Sequence, residues 1–423
     1  MKILVLGSGA REHAIILALR AEEAGHELFA APGNAGIGAD AVLVDLDPVD
    51  PGAVTDFANE NAIDLVVIGP EAPLVAGVAD ALRERGIPAF GPGKAAAQLE
   101  GSKTFAKRIM DAAGVPTGRA VHARTIAEVE AALDEFGAPF VVKADGLAAG
   151  KGVIVTEDRA AALAHAAEYL VGSPVLVEEF LSGPEVSLFF VSDGDCVVPL
   201  SPAQDYKRAF DHDAGPNTGG MGAYSPLPWL AGAFGGEDEF VAQVTRDVAE
   251  PVIRRLDAEG TPFIGLLYAG LILTEHGVKV IEFNARFGDP ETQVVLARLA
   301  TPLSSLLMAA ASGHLEDEPA PAFAEAAAVT VVLASEGYPA APVIGRTLTG
   351  LDDAASVEGV HLAHAATARH DDEVVATGGR VLNVVALGNT FFQARDRAYD
   401  ALGRIHLEGG HHRTDIALRV VED

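Results

Sequence analysis

Short apolar runs alternate with amphipathic segments along the first hundred residues of the chain. The runs KILVLG, ELFAAPG, DLVVIGP and IPAFGP predict strands, and the segments between them, of which residues 11–24 are the first, predict helices. Strands that alternate with helices in this way pair in parallel and are covered by helices on both faces. The pattern therefore predicts an N-terminal doubly wound parallel sheet of the α/β class, which binds ligands beyond the carboxyl ends of its strands.

The pattern after residue 101 predicts antiparallel pairing instead. An apolar strand precedes residues 143–153, VLVEEFL predicts another strand, and FIGLLYAGLILT and VKVIEFNARF predict a hairpin joined at EHG. A long amphipathic helix is predicted around residues 238–259, and the glycine-rich segment 204–226 predicts a long loop without regular structure. These elements indicate an α+β arrangement in the middle of the chain.

The segment DEPAPAFAEAA, residues 317–327, predicts a linker because it is rich in proline and alanine. Further apolar runs and one helical segment beyond it predict a small C-terminal α/β cap. We therefore expect an N-terminal domain over residues 1–101, a central domain over 102–316 and a C-terminal domain over 328–423. A chain of 423 residues has room for several such domains, each with its own core.

The formal net charge of −30 is spread along the chain and is not gathered in a tail. Such a field repels nucleic acid and anionic membranes, so we expect neither as a partner. The single cysteine, Cys196, cannot form an intramolecular disulfide, and no apolar run approaches the length of a membrane span. We expect a soluble cytoplasmic protein, in which a phosphate-bearing substrate needs local clusters of Lys, Arg and glycine N–H groups.

The turn GSGAREHA, residues 7–14, follows a strand and opens a helix, as a dinucleotide fingerprint does. Glu12 stands where that fingerprint has its third glycine, and a carboxylate there opposes a pyrophosphate. The phosphate of a smaller ligand could bind the N–H groups of Gly9, Ala10 and Arg11 at the helix N-terminus. The alternative is a tight turn whose glycines bind no ligand.

The loop KADGLAAGKGV, residues 143–153, has the glycines and lysines that close around phosphate. Its spacing is not that of a P-loop, because three residues separate Gly146 from the pair Gly150-Lys151 and Gly152 follows that pair. A mobile hairpin with solvated lysines is the alternative. The strand VLVEEFL leaves a similar choice between an edge strand with charged ends and a backbone that pairs with an adenine edge, near Glu185 for the ribose hydroxyls.

The segment IEFNARFGDPET, residues 281–292, carries the most specific pattern. Glu282 and Asn284 alternate along a strand and point to one face, and two oxygen ligands suit Mg²⁺, which also binds phosphates and water. Arg286 can hold a carboxylate with two hydrogen bonds, and the pair Asp289-Pro290 starts a helix. A strand end with a solvated acid and an ordinary helix cap is the alternative.

Together these motifs resemble an ATP-grasp enzyme of the glycinamide ribonucleotide synthetase family. The resemblance rests on KADGLAAGKGV, VEEFL, QDYKR, GPNTGGMGAYSP and VIEFNARFGDPET, and it extends from GSGAREHA to TGGRVLNVVALG and RTDIALR, over nearly the whole chain. It implies an ATP-grasp core with a mobile lid subdomain over about residues 120–187. It also implies ATP- and Mg-dependent ligation of glycine to 5-phosphoribosylamine in purine biosynthesis, through a glycyl phosphate.

The same resemblance implies a role for each residue of the site. Lys103, Lys143 and Lys151, with Gly146, Gly150 and Gly152, would contact the ATP phosphates; Glu178, Glu179 and Phe180 would hold adenine, Glu185 the ribose, and Glu282 with Asn284 Mg²⁺ or Mn²⁺. Arg286, Gly288 and Asp289 would hold glycine, with Asp211 and Asp213 as further candidates. Gly9, Ala10, Arg11, Asn34 and Glu71 would bind phosphoribosylamine. Lys143, Lys151 and Arg286 would be catalytic.

Some positions depart from the family pattern. Tyr206 stands where histidine is common, Pro184 precedes Glu185 where an acid is common, and Tyr268-Ala269-Gly270 offers no carboxylate to a metal. We expect a monomer that contacts its pathway neighbours at most transiently. The other readings of the sequence are a different ATP-grasp ligase such as a purine-pathway carboxylase, an oxidoreductase, and a nucleotide-binding protein without catalysis.

Overall fold

The computed structural model of the protein describes residues 1–146 and 152–422. Gly150 and Lys151, which the sequence analysis assigned to ATP, lie outside the described residues. Over the described ranges, none of the helices combines the length and the apolar character that crossing a bilayer requires.

The N-terminal sheet is five-stranded, entirely parallel and ordered β3-β2-β1-β4-β5. Its strands are β1 (Lys2–Gly7), β2 (Glu27–Pro32), β3 (Val42–Leu43), β4 (Leu65–Ile68) and β5 (Ala89–Phe90). Its helices are α1 (Ala10–Arg20), α2 (Ile37–Asp40), α3 (Pro51–Glu60), α4 (Glu71–Ala76) and α5 (Val78–Glu84). The predicted doubly wound parallel sheet is confirmed.

Two antiparallel sheets follow. The lid sheet is ordered β6-β9-β7-β8 and the central sheet β11-β10-β16-β17. Their elements are α6 (Gln98–Gly101), α7 (Lys103–Ala113), β6 (Ala120–Ala123), α8 (Ile126–Phe136), β7 (Phe140–Ala144), β8 (Val153–Thr156), α9 (Arg159–Tyr169), β9 (Val175–Glu178), β10 (Glu185–Asp193) and β11 (Val197–Pro199).

The central region continues with short strands and a long helix. Its elements are β12 (Gln204–Asp205), β13 (Arg208–Phe210), β14 (Ala214–Asn217), β15 (Gly222–Ser225), α10 (Leu230–Phe234), α11 (Glu237–Val244), a π-helical turn (Thr245–Ala249), α12 (Glu250–Ala258), β16 (Ile264–Thr274), β17 (Gly277–Asn284), α13 (Glu291–Arg298) and α14 (Leu303–Ser312). The predicted helix around 238–259 is confirmed as the run from α11 to α12. The predicted hairpin is confirmed as β16 and β17, which pair antiparallel.

The C-terminal sheet is ordered β12-β15-β18-β23-β20, and a smaller sheet is ordered β21-β22-β19-β24. The remaining elements are β18 (Ala327–Ala334), β19 (Thr347–Thr349), α15 (Leu351–Ala355), β20 (Val360–His364), β21 (Thr367–His370), β22 (Glu373–Ala376), β23 (Arg380–Gly388), α16 (Phe391–Arg404), β24 (His406–Leu407) and α17 (Leu418–Glu422). The small C-terminal α/β cap is confirmed.

The expectation of an irregular loop over residues 204–226 is wrong. This segment forms four short strands, and β15 pairs with β18, so it completes the C-terminal sheet. The pairing partner lies a hundred residues downstream, and glycines interrupt the alternation that marks a strand in sequence. Ala223 and Tyr224 are buried by this pairing.

The predicted linker, residues 317–327, is packed against the central region. The Ala322 carbonyl accepts the Ala300 N–H at 2.8 Å, and Phe323 forms a β-bridge with Leu299. Arg298, 6 % exposed, donates to the hydroxyls of Ser201 and Ser225 at 2.6 and 2.7 Å and to the carbonyl of Ala326 at 2.8 Å. One buried guanidinium thus ties this segment to the strands beside it, and the domain boundaries that we placed around it stay a prediction.

We predict that Arg298→Met lowers the free energy of unfolding by about 3 kcal/mol, because it leaves several buried acceptors without a donor. Urea unfolding followed by circular dichroism measures the change. Arg254→Ala, which removes an exposed pair with Glu250 on α12, is the control and should cost less than about 1 kcal/mol. Equal losses in the two variants would contradict the role given to Arg298.

Histidines line the contact between α1 and β20, where the N-terminal and C-terminal sheets meet. The His364 N–H donates to His13 Nδ1 at 2.8 Å, and His13 Nε2 therefore donates to Asp40 at 3.0 Å. Burial, together with the neighbouring His13, lowers the pKa of both His361 and His364 to about 4. The interface is built for neutral imidazoles.

This interface should weaken in acid. A histidine that is neutral in the fold and protonates readily when unfolded contributes stability that is lost as the pH falls from its unfolded pKa of 6.5 toward about 4. We predict that the urea midpoint falls across this range and that His361→Asn with His364→Asn shows a flatter profile. His406→Asn changes an exposed histidine and is the control, so its urea midpoint should fall with pH as steeply as that of the wild type. An equally steep fall in the double variant would contradict the assignment of the acid sensitivity to His361 and His364.

Candidate active site

Glu282 and Asn284 stand on the same face of β17 near its end. The partner strand places Gly270 opposite Glu282 and Tyr268 opposite Asn284. A side chain at position 270 would press on Glu282, since a Cβ there would lie 3.3 Å from its Cγ. Gly270 on β16 thus leaves room for the Glu282 side chain on this face of the sheet.

Three lysines surround Glu282. Burial raises the pKa of the Glu282 carboxyl, but Lys207, Lys143 and Lys103 outweigh burial and lower the pKa below its ordinary value. Lys143 Nζ lies 3.5 Å from the Ile281 carbonyl, at the same end of β17. The site is therefore an ionised carboxylate within a cluster of cations, which is the electrostatic setting that a polyphosphate with a divalent cation requires.

Lys103 and Lys143, which were expected to contact the ATP phosphates, lie close to the lid hairpin. Lys103 Nζ donates to the Gly146 carbonyl at 3.2 Å, across the mouth of the lid hairpin. The hairpin of β7 and β8 pairs Lys143 with Val153, and the Ala144 N–H donates to the Gly152 carbonyl at 2.7 Å. Both lysines thus lie between the lid sheet and the central sheet.

Glu178 is not a free acceptor for adenine. Its carboxylate is 7 % exposed and lies between Lys143 Nζ at 2.8 Å and Lys107 Nζ at 3.4 Å. The Glu179 carboxylate is held by Lys279 at 2.9 Å and Arg119 at 3.1 Å. Adenine can therefore use only the backbone and Phe180 of this strand end, which leaves the adenine assignment a prediction.

Glu185 forms a short hydrogen bond with Lys207, whose Nζ also lies 3.9 Å from Asp205. Burial raises the pKa of the Asp205 carboxyl to about 7. A ribose on Glu185 would share its carboxylate with Lys207. Neither Asp205 nor Lys207 was singled out in the sequence, although both belong to the quoted QDYKR.

We call the segment 285–290 the glycine loop, because the resemblance assigns three of its residues to the substrate glycine. Groups from the N-terminal part of the chain hold this segment. Arg11 Nη1 donates to the Phe287 carbonyl at 3.1 Å, and the Ala285 N–H donates to Glu100 Oε2 at 2.7 Å. Phe287 is buried between the rings of Phe90 and Phe189. Side chains from α1 and α6 therefore hold the backbone of this loop.

Arg286 lies between two carboxylates. Its guanidinium is 3.0 Å from Glu100 and 3.6 Å from Glu71, and these acids raise the pKa of Arg286 although its burial opposes them. The Nε atom is buried and has no hydrogen-bond partner among the described residues. That atom faces Glu71 Oε2 at 3.6 Å, and Glu100, which was not singled out in the sequence, holds the side chain in place.

Asp289 has one anchored oxygen and one that faces the N-terminal turn. Oδ1 accepts from Gln293 Nε2 at 3.1 Å and lies 3.2 Å from Arg380 Nη1. Oδ2 lies 3.9 Å from the Cβ position of Gly9. Gly288 precedes it and is closely packed, since a Cβ there would meet Glu291 at 2.7 Å.

Gly9, whose N–H was expected to bind a phosphate at the start of α1, already has a partner within the protein. Its N–H donates to Glu12 Oε2 at 2.6 Å, and Arg11 Nε donates to Glu12 Oε1 at 2.6 Å. Glycine is required around this carboxylate, because Cβ atoms at Gly7 and Gly69 would lie 2.6 and 2.2 Å from it. Glu12 thus fills the place that a phosphate takes in a dinucleotide fold, and its residue type was the signal that the sequence offered.

Three further predicted substrate residues are occupied by the protein itself. Asn34 Oδ1 accepts from the N–H groups of Gly36 and Ile37, and its Nδ2 donates to three backbone carbonyls. Asp211 accepts from Thr414, and Asp213 pairs with Arg413 at 2.8 Å. Asn34 therefore shapes the turn between β2 and α2, and the two aspartates fasten residues 211–213 to the C-terminal segment.

Comparison with known proteins supports an ATP-grasp enzyme. Family models described as the N domain, the ATP-grasp (A) domain and the C domain of phosphoribosylglycinamide synthetase match residues 1–100, 101–292 and 328–419. The biotin carboxylase domain of a 2-oxoglutarate carboxylase from Hydrogenobacter thermophilus has the same fold at a TM-score of 0.68 and 18% identity, covering 97% of this chain and 91% of its own.

Closer relatives define the family. Phosphoribosylamine–glycine ligase of Leifsonia xyli subsp. xyli is 71% identical and covers 99% of this chain and 100% of its own, and that of Streptomyces coelicolor is 57% identical with 99% of each covered. The crystal structure of the ligase from Thermotoga maritima superposes with a TM-score of 0.83 at 33% identity, covering 98% of this chain and 100% of its own. The chain belongs to the phosphoribosylglycinamide synthetase family. The family, fold class and enzyme class expected from its sequence are confirmed.

We predict that Glu282→Gln and Lys143→Ala each lower turnover by about a hundredfold or more, because each removes a charge that aligns the phosphates. Melting temperature and circular dichroism check that the variants fold. Glu275→Gln, on the exposed turn of the same hairpin, is the control and should keep full turnover. Wild-type turnover in either site variant would rule out the role of that residue.

Proposed function

We propose that this protein ligates glycine to 5-phosphoribosylamine with ATP, through a glycyl phosphate, to give glycinamide ribonucleotide, ADP and phosphate. Its membership of the family supports the ligase reaction in purine biosynthesis. The observation that carries the assignment of residues is the position of the glycine loop, which begins directly after the cation-surrounded Glu282 and Asn284 of β17. Residues at one end of β17 would thus bind the metal and phosphates, and the residues that follow directly would bind an amino acid.

Glu282 and Asn284 suit Mg²⁺, and Mn²⁺ could take its place. Both present oxygen, and the described residues contain no cluster of three or more His, Cys, Asp or Glu side chains that could hold a metal ion. Such a pair leaves most coordination positions to phosphate and water, as Mg²⁺ prefers. When bound there, the ion would neutralise the β- and γ-phosphates of ATP.

The lysines align the nucleotide. Lys103 and Lys143 converge on the space between the lid sheet and Glu282, and their charges would balance the phosphates and the developing ADP. Phosphate arriving at Lys143 would compete with Glu178, now 2.8 Å from it. Gly146, Gly150, Lys151 and Gly152 would add backbone and side-chain donors from the lid loop, and Glu185 would accept the ribose.

Arg286 and Asp289 would orient glycine. The guanidinium of Arg286 would donate to the glycine carboxylate, and Asp289 Oδ2 would accept from its ammonium. One carboxylate oxygen of glycine then attacks the γ-phosphorus, and the bond from that phosphorus to the oxygen of ADP breaks. The product is glycyl phosphate, formed by alignment and charge neutralisation without a covalent protein nucleophile.

Phosphoribosylamine would enter beside the N-terminal turn. Its amine attacks the carbonyl carbon of glycyl phosphate, the carbon–oxygen bond to phosphate breaks, and the amine loses a proton to give the amide. Glu71 and Arg11, at the N-terminal side of the glycine loop, are the groups that we assign to this substrate. Ala10 and Gly9 shape the turn there, although the Gly9 N–H is used by Glu12.

Phosphate release from ATP tests the proposal. We expect release only when glycine and phosphoribosylamine, freshly made from ribose 5-phosphate and ammonia, are present together with Mg²⁺, and a product with the mass of glycinamide ribonucleotide. Bicarbonate in place of glycine is the matched control for a carboxylase. Release with bicarbonate, or release that is independent of the amine, would contradict the proposed reaction.

A further inference from the structure

Arg380, the first residue of β23, is joined to the glycine loop, and the mechanism above does not use it. Its Nη1 donates to the carbonyls of Asp289 at 2.8 Å and Gly219 at 2.7 Å, and it lies 3.2 Å from Asp289 Oδ1. The side chain is 21% exposed. One guanidinium from the C-terminal sheet thus contacts both the backbone and the carboxylate of Asp289.

The surrounding glycines make this contact possible. A Cβ at Gly219 would lie 2.9 Å from Arg380 Cζ, and a Cβ at Gly220, where φ is +110°, would lie 2.4 Å from Pro290 Cδ. Gly379 provides room in the same way for the ring of Tyr338, whose hydroxyl accepts the Gly219 N–H at 3.0 Å. Gly219 and Gly220 thus leave room for Arg380 and Pro290, and Gly379 leaves room for the tyrosine that holds the Gly219 N–H.

The contact determines how Asp289 presents its carboxylate. Gln293 donates a hydrogen bond to Oδ1 and Arg380 forms an ion pair with the same atom, so both oppose rotation of the carboxylate, and Oδ2 is directed toward Gly9. A carboxylate fixed in this way does not have to be ordered when an ammonium group arrives, which favours binding. Without Arg380, Gln293 alone would hold Oδ1 and the backbone of the loop would lose its link to the C-terminal sheet.

We propose that Arg380 is a positioning residue for glycine, which orients Asp289 and thereby makes glycine binding depend on the C-terminal domain. This inference rests on the proposed function, because it takes Asp289 as the group that receives the ammonium of glycine. It predicts that loss of Arg380 weakens the binding of glycine and leaves the binding of nucleotide and of phosphoribosylamine nearly unaffected.

The test is calorimetric titration of the full-length protein with glycine, in the presence of Mg²⁺ and the β,γ-imido analogue of ATP. Arg380→Ala should raise the Kd for glycine about tenfold or more, and Arg380→Lys should raise it less, because lysine keeps the charge without the planar fork. The Kd for the nucleotide analogue should stay within about twofold. Arg397→Ala is the matched control: Arg397 lies in the same domain, is 19% exposed, and also contacts a carbonyl and a carboxylate.

Kinetics and a double variant separate this role from others. With Arg380→Ala the KM for glycine should rise, while kcat at saturating glycine and the KM for phosphoribosylamine stay within about threefold. Added to Asp289→Asn, Arg380→Ala should have almost no further effect, because it acts through Asp289. A raised KM for phosphoribosylamine with unchanged glycine binding would show a direct contact with that substrate and overturn the inference.

The remaining outcomes are also decisive. Fully additive effects in the double variant, or equal losses in Arg397→Ala, would reduce Arg380 to a structural residue and overturn the inference. Wild-type protein that does not bind glycine would reject the proposed function and this role together. Normal wild-type binding with no effect of Arg380→Ala would overturn this inference alone.

Discussion

Charged side chains around the glycine loop must be paired with opposite charges, and the partners come from separate stretches of the chain. An ionised group removed from water is costly unless an opposite charge and hydrogen bonds replace its hydration. Arg286 finds its partners in Glu71 and Glu100, and Asp289 finds Arg380. Because these partners come from three separate stretches of the chain, the loop that is assigned to glycine is also where those stretches meet. A loop fixed from several sides suits a reaction that depends on alignment.

The same principle explains how so acidic a chain can attract ATP. A net charge of −30 repels a polyphosphate at a distance, so attraction must come from charges nearby. Lys103, Lys143 and Lys207 lie around Glu282 in a partly buried site, where screening by salt is weak. In the structure Glu178 pairs with Lys143 and Glu185 pairs with Lys207, so two of these lysines are already neutralised by carboxylates of the protein.

Local patterns predicted the N-terminal sheet, the β16–β17 hairpin and the pair Glu282 and Asn284, because alternation and turn residues act over a few positions. Of the strands in residues 204–226, β15 escaped prediction because its partner, β18, is distant in sequence. Glu100 and Arg380 were missed for the same reason: each matters only through a contact made by folding. Glu12 was expected to oppose a pyrophosphate, which stays a prediction, and its hydrogen bond with the Gly9 N–H was not foreseen. The roles assigned to individual site residues, and the domain boundaries, stay predictions.

The central claim is that the glycine loop presents a glycine carboxylate oxygen to the γ-phosphoryl group of ATP. Glycine labelled with oxygen-18 in its carboxylate tests this directly, when the phosphate released during turnover is analysed by mass spectrometry. The account predicts one labelled oxygen in each phosphate and one in the amide of the product, because the oxygen that attacks phosphorus leaves with it. Released phosphate that carries no oxygen-18 would contradict the account.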